Sequence, residues 1–425
     1  MRIHLMSKTT VTYKRTIAAC YAGNITMAAI INFLPLLFVT LRAQFGLTYG
    51  QLGLLTLINF TTQVAMDFAC GPLVDRYGFR RFILSSAVLT VAGFGLFAVS
   101  PWITDRPYPL FVLATVIFSG SCGLLELLLS PIVNSVPTDE KTKAMSGLHA
   151  FYCWGTIIVV LVSTVLLRLF GHDKWQYIML MWLLMPVADF FMFLKAPLEP
   201  PAPEEQRQSF RQFSRKAPYI LLCVIILCGA ATEIAMGQWI SAFVERGVGV
   251  SKLVGDTAGV CVFALMMGIG RVILGKKGER EGFNMNRVLL LSFAVSVVCY
   301  VAAALTDIKL LTLMSCAVLG LVVSVLWPGS LIAATKLYPK AGAWMFAVMS
   351  GFGDIGCAFA PWVAGKVIDG AQTVPALMDY CARTGLELER LGLKAGILAS
   401  AVFPLAGIVA TVVMMRETKK LKIEN

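Results

Sequence analysis

Charge is what this 425-residue chain has least of. Asp, Glu, Lys and Arg make up 14% of it, where a soluble globular domain carries about 25%. Apolar side chains fill 58% of the positions. That excess excludes a soluble globular domain and implies an integral membrane protein. Paired cysteines and metal-ligand spacings are missing too. The eleven cysteines are scattered singly, mostly inside apolar runs, with no CxxC pair and no His/Cys cluster. They read as small packing residues rather than a metal framework, except Cys381, which the sequence places in a loop as a free thiol. No Walker loop ending in Lys-Ser/Thr is present, so ATP-driven transport has no support, and no motif suggests an enzyme, a cofactor or a bound metal. The first apolar run, 17–41, is too long for a signal-peptide core and has no small-residue cleavage site after it, so it reads as a retained first span.

What is there is a series of apolar runs. A span needs about 20 predominantly apolar residues, and twelve stretches qualify: 17–41, 49–70, 82–100, 109–135, 145–169, 175–195, 218–242, 255–275, 287–305, 310–335, 341–366 and 394–415. The net charge of +12 invites a nucleic-acid partner. Its distribution argues otherwise. With both termini cytoplasmic, most of the lysines and arginines fall on the cytoplasmic side, as the positive-inside rule requires. Residues 196–217 are polar and proline-rich. They divide the chain into an N-terminal six-span bundle, 1–195, and a C-terminal one, 218–425. Between the last two spans, 377–393 has the pattern of a short amphipathic helix.

The most telling stretch is the charged turn at 71–81, GPLVDRYGFRR, between the second and third spans. A degraded copy stands at 275–283, with Glu279, Arg280, Gly282 and Phe283 in the places of Asp75, Arg76, Gly78 and Phe79. Gly123 and Pro131 recur as Gly320 and Pro328, and Lys143-Ala144 as Lys340-Ala341, both at an offset of 197 residues. Together these favour two homologous halves, which would place a solute site near the bilayer midplane.

With twelve spans, a central cytoplasmic linker and this turn, the chain resembles the major facilitator superfamily over nearly its whole length. The resemblance implies an all-α membrane fold of twelve transmembrane helices in two pseudo-symmetric six-helix bundles. It also implies a monomeric secondary carrier of a small-molecule solute in the cytoplasmic membrane. Gly71 and Gly78 permit a tight turn. The resemblance assigns Asp75 and Arg76 a conformational latch, with Arg80 beside them and Glu279, Arg280 and Arg271 as a second, weaker set. The same turn also reads simply as a positive topogenic loop. Spans 4, 5 and 7 resemble the fucose–galactose–glucose type of proton symporter, through Glu126, the 149–155 stretch, and Glu233 with Trp239. One departure stands out. That type implies an acid on helix 1, where span 1 offers only Asn24 and Asn32.

Ionisable residues inside spans are functional candidates by default. Glu126 shares a helical face with Ser119, Cys122, Ser130 and Asn134, a stripe that suits either a cavity wall or a buried helix–helix bond. Glu233, Gln238 and Trp239 in span 7 suit a sugar, with Trp239 equally readable as an interface anchor. His149 in span 5 suits a proton shuttle or a structural hydrogen bond. Asp354 in span 11 suits solute binding, ion pairing or interhelical bonding. Asp67, one turn from Gln63 and near the end of span 2, reads as a gate or cap. The pattern as a whole predicts a carrier of a sugar or polyol coupled to protons. A drug or metabolite exporter is the main rival, although span 5 lacks the GxxxGPxxGG run that resembles drug–proton antiporters. A non-transporting membrane sensor on the same scaffold is the other.

Overall fold

A computed structural model describes residues 2–137, 141–199, 215–277, 284–338 and 343–424. Every regular element among them is a helix. Helices satisfy their own backbone hydrogen bonds, so they can cross a bilayer without water. In chain order they are α1 (Arg2–Leu36), α2 (Phe38–Phe45), α3 (Tyr49–Tyr77), α4 (Phe79–Ile103), α5 (Tyr108–Ser135), α6 (Lys141–Phe170), α7 (Trp175–Met181), α8 (Leu184–Lys195), α9 (Ala217–Ala242), α10 (Lys252–Val254), α11 (Val262–Lys277), α12 (Met285–Leu305), α13 (Lys309–Val323), α14 (Leu326–Leu337), α15 (Ala343–Ala371), α16 (Pro375–Thr384), α17 (Leu388–Ser400) and α18 (Val402–Glu424). Wider π-type turns at Phe243–Gly247 and Gly255–Cys261 lengthen α9 and lead into α11.

Among the described residues, eleven candidate spans are long and apolar enough to cross a membrane. The remaining predicted span falls on α15, whose 29 residues suffice in length. Breaks within spans follow proline chemistry. Pro328 cannot donate to Ser324, and span 10 breaks there into α13 and α14. Span 6 similarly breaks into α7 and α8, with Pro186 in the first turn of α8. The predicted surface helix at 377–393 forms instead as two helices. Gly385, at φ 71, ends α16 in the left-handed conformation, and α17 starts afresh. Cys381 is a free cysteine, as expected, but lies buried on α16 rather than in a loop.

The chain forms two compact units. The first comprises Met1–Phe45 and Ile58–Pro203, the second Gly46–Leu57 and Glu204–Asn425. Grouping the start of α3 with the later unit is a feature that the span pattern does not show.

In the first unit α4 packs along α5 with the backbones nearly touching. A Cβ on Gly93 would lie 2.6 Å from the Phe118 nitrogen. Around that seam Phe97 stacks on Phe111 at 4.2 Å, and Trp175 meets Phe97 edge-on at 5.8 Å. In the second unit α15 crosses α9 at Gly356, where a Cβ would sit 2.2 Å from the Leu227 carbonyl oxygen. Small residues at crossings are how helices associate where lipid is as apolar as leucine. Leu184, Val298 and Leu310 stand exposed on helix flanks, as a lipid-facing surface requires.

The predicted glycine repeat has a structural counterpart in each unit. A Cβ on Gly123 of α5 would meet Gln63 Cα and O of α3 at 3.0 Å. One on Gly320 of α13 would meet Phe263 O of α11 at 2.4 Å.

Candidate functional site

The charged turn comes first in the chain. α3 ends at Tyr77 and α4 begins at Phe79, so one residue makes the corner. Gly78 adopts φ 79 and ψ 166 there, a region essentially reserved for glycine. Gly71, by contrast, lies in open space. Arg80 donates to the carbonyl oxygens of Phe193 at 2.9 Å, Leu194 at 2.8 Å and Ala196 at 2.7 Å. It thus caps the C-terminus of α8, where the helix dipole favours a cation. Arg76 and Arg81 stand 5.2 and 5.8 Å from the centre of the Tyr77 ring. The Asp75 side chain, Glu279 and Arg280 lie outside the described residues.

In the interior of the first unit, Asn32 donates to Thr156 of α6 at 3.1 Å and to Ala28 O at 2.9 Å. Asn24 donates to Leu148 O at 2.5 Å. Both amides therefore join α1 to α6. Glu126 is half-buried on α5 and within electrostatic reach of Asp67 on α3. The side chains of Asn134 and His149 lie outside the described residues. One more polar group escaped the sequence reading. Asp189 of α8 is 4% exposed and accepts a 2.5 Å hydrogen bond from Thr26 of α1.

In the second unit, Glu233 near the middle of α9 pairs with Arg271 of α11 at 3.2 Å, both largely buried. Arg271, expected beside the second turn, thus meets the span 7 acid. Gln238 is buried and accepts a 3.3 Å bond from Thr56. Trp239 is fully buried. Its indole N–H donates to Pro361 O at 2.9 Å and its ring meets Tyr49 edge-on. That placement is a packing one and leaves no free ring face for a sugar. Asp354 is 2% exposed on α15, between Gly353 against Trp327 and Gly356 against α9. Two further acids were missed. Asp256 is enclosed by Ser241 at 2.5 Å and Lys252 at 3.4 Å. Asp369 accepts from the amides of Tyr49 at 3.0 Å and Gly50 at 2.6 Å.

Two units of membrane-length helices, with acids and a guanidinium inside them, define an all-α, multi-pass membrane protein. The chain belongs to the Major Facilitator Superfamily, whose model matches residues 18–361, and it is a transporter by that membership. It is 23% identical over 376 residues to the multi-drug resistance efflux pump PmrA of Streptococcus pneumoniae, covering 85% of this chain and 91% of that one. Over 129 residues it is 37% identical to a Na(+), Li(+), K(+)/H(+) antiporter of Planococcus maritimus, about a third of each chain, at 30% and 29%. A crystal structure of a bacterial homologue of the human lysosomal transporter Spinster, inward-facing and occupied, shares the fold. Its TM-score is 0.76 at 14% identity, covering 95% of this chain and 97% of that one.

Proposed function

We propose that this protein is a secondary symporter of the cytoplasmic membrane, with both termini inside, that moves a small polar solute by alternating access. The solute class that best fits is a sugar or polyol, and the coupling ion a proton. The reading is carried by the Glu233–Arg271 pair. An ion pair inside a membrane-spanning unit is expensive, and such groups mark solute and ion pathways. A carboxylate and a guanidinium side by side offer acceptor and donor to a polyhydroxylated solute. Glu126, with no basic partner within salt-bridge distance among the described residues, supplies a carboxylate that a proton can neutralise. The charged turn serves as the conformational latch, with Gly78 shaping it and Arg80 anchoring it to α8.

The reading is tested by uptake of labelled sugars and polyols into proteoliposomes with and without an inward proton gradient. Wild type should accumulate one of them, and Glu233→Gln and Arg271→Gln should abolish accumulation. No gradient-driven uptake of any such solute would sink it. A second reading, drug export by proton antiport, is favoured by the similarity to the efflux pump over most of the chain. Gradient-driven extrusion of a lipophilic dye, without sugar uptake, would establish that one instead.

A further inference from the structure

We propose that the groove between α4 and α8 in the first unit binds one anionic phospholipid, with an acyl chain along the groove and the phosphate against Arg81 at its rim. On the orientation proposed above, that lipid comes from the inner leaflet; the identity of the solute does not enter. The groove has a volume of about 370 Å³ and is lined by Leu84, Ser85, Val88 and Leu89 of α4 and by Phe190 of α8. Its lining follows helical spacing. Leu84, Ser85, Val88 and Leu89 stand 3, 4, 7 and 8 residues after Arg81, so all five share one face of α4. Arg81 is the charged end of that stripe. The start of α4 and the close of α8 lie together, because Arg80 donates to the carbonyl oxygens of Phe193, Leu194 and Ala196. Phe190 lies one turn in from Leu194, as Leu84 lies one turn in from Arg81. The groove thus begins beside the charged turn and runs along the spans.

Two observations separate this place from an ordinary lipid-facing flank. The first is its shape. Val88 is 57% exposed, yet it stands in a concavity between two packed helices rather than on a convex face. Close packing leaves few voids larger than a water molecule, and the walls of one lack contact partners until a chain fills it. The single hydroxyl in the lining poses no obstacle to hydrocarbon, since Ser85 donates to the Arg81 carbonyl oxygen at 2.8 Å.

The second is the charge at the rim. Arg80 spends its guanidinium on α8. Arg81 is exposed, stands 5.8 Å from the centre of the Tyr77 ring and makes no salt bridge among the described residues. Arg76, on the other side of that ring at 5.2 Å, and Lys195, at the end of α8, are exposed at the same end. Asp189, the neighbour of Phe190 in the chain, turns inward to Thr26 and does not oppose an anion there. A guanidinium binds phosphate through two parallel N–H bonds, and basic pockets between spans at the cytoplasmic surface suit anionic headgroups. Lipid tails are as apolar as leucine, so the acyl chain adds fit rather than a large driving force. Selection among lipids then falls to the headgroup charge and the shape of the groove.

The experiment is native mass spectrometry of the purified full-length protein in detergent. It is titrated with phosphatidylglycerol, with phosphatidylcholine of the same chains, or with glycerol 3-phosphate alone. Phosphatidylglycerol should give one saturable adduct, tighter than that of phosphatidylcholine, and should raise the unfolding midpoint as a ligand of the folded state does. Arg81→Gln should weaken it about fivefold, the loss of one basic contact with an anionic headgroup. Val88→Trp fills the groove and should abolish the adduct, whereas Leu113→Trp, at an exposed position of α5 outside the groove, should leave it intact. Four results each overturn the site: equal binding of the two lipids, bare glycerol phosphate binding as tightly as the lipid, an adduct that survives Val88→Trp, and an adduct indifferent to Arg81→Gln. Should Val88→Trp fail to fold, Ser85→Phe fills the same space. The orientation is tested separately, by labelling Arg76→Cys in intact cells with a membrane-impermeant maleimide against a wild-type control. Labelling from outside overturns the inner-leaflet assignment and leaves the lipid site standing. Protection from outside together with a failed lipid titration overturns the site and leaves the orientation standing.

Discussion

Asp189 in the first unit and Asp256 in the second are both enclosed acids, yet their surroundings differ. Asp189 takes one hydrogen bond from the Thr26 hydroxyl, and its second oxygen has no hydrogen-bond partner. Asp256 has the Ser241 hydroxyl and the Lys252 ammonium. Glu126 and Glu233 repeat the contrast, one near another acid and the other against Arg271. In the second unit Glu233 and Asp256 each face a side-chain cation. The first leaves its acids to hydroxyls and to whatever enters from outside. The glycine crossings Gly123 and Gly320 share one geometry while the side chains around them diverge from polar to apolar. A duplicated scaffold thus keeps its backbone contacts and reassigns its charges.

The largest expected effect comes from removing one member of the second unit's central pair. Arg271→Leu strands Glu233 in the membrane and should cost about 3–5 kcal/mol, read as a lowered unfolding midpoint in detergent. The swapped double variant Glu233→Arg/Arg271→Glu should recover a large part of that loss. No recovery would mean that the pair does not act as a pair. Next in size are the crossings. Gly93→Ala and Gly356→Ala should each destabilise their unit by about 1–3 kcal/mol, because the added methyl meets backbone rather than a yielding side chain. A similar cost in both units would confirm that packing is shared where charge is not.

Asp256→Asn and Asp189→Asn then sharpen the contrast directly. The first leaves Lys252 facing a neutral amide and should cost about 1–3 kcal/mol. The second keeps a hydrogen-bonding partner for Thr26 and should cost less than about 1 kcal/mol. Equal losses would break the distinction between the units.

The smallest effect lies outside the spans. Asp307, between α12 and α13, is bonded by Lys394 at 2.8 Å and Arg390 at 2.8 Å. The Lys394 hydrogen bond and charge, with those of Arg390, hold its carboxyl below the usual carboxylate range. A lowered folded-state value means that the contribution is present above the unfolded value and is lost as pH falls through the folded one. Asp307→Asn should therefore leave a slight stability difference at neutral pH that vanishes in acid. Since Asp307 is well exposed, salt should shrink it.

The apolar runs and the turn were legible because they are local. Run length gives the spans, and a glycine between two helices at Gly78 has one conformational reason to be there. The pairings were not legible, because nothing local links Glu233 to Arg271 or Arg80 to the end of α8. Asp189 sits six residues before Lys195 and reads as the polar end of a span, although the helix carries it inward against Thr26. Trp239 stayed open for the opposite reason. A Trp beside a Gln and near a Glu matches a sugar site in composition, and only its bond to Pro361 shows the ring committed to packing.

The Arg80 clasp has a consequence for synthesis. It joins positions 113, 114 and 116 residues apart in the chain, and its last acceptor is the carbonyl of Ala196. The clasp can close only once Ala196 has left the ribosome, by which time the helices from α1 to α8 exist. Chains are made N-terminus first and domains fold as units. The guanidinium thus acts as a completion mark, fastening the first-made unit just before the proline-rich segment starts the second.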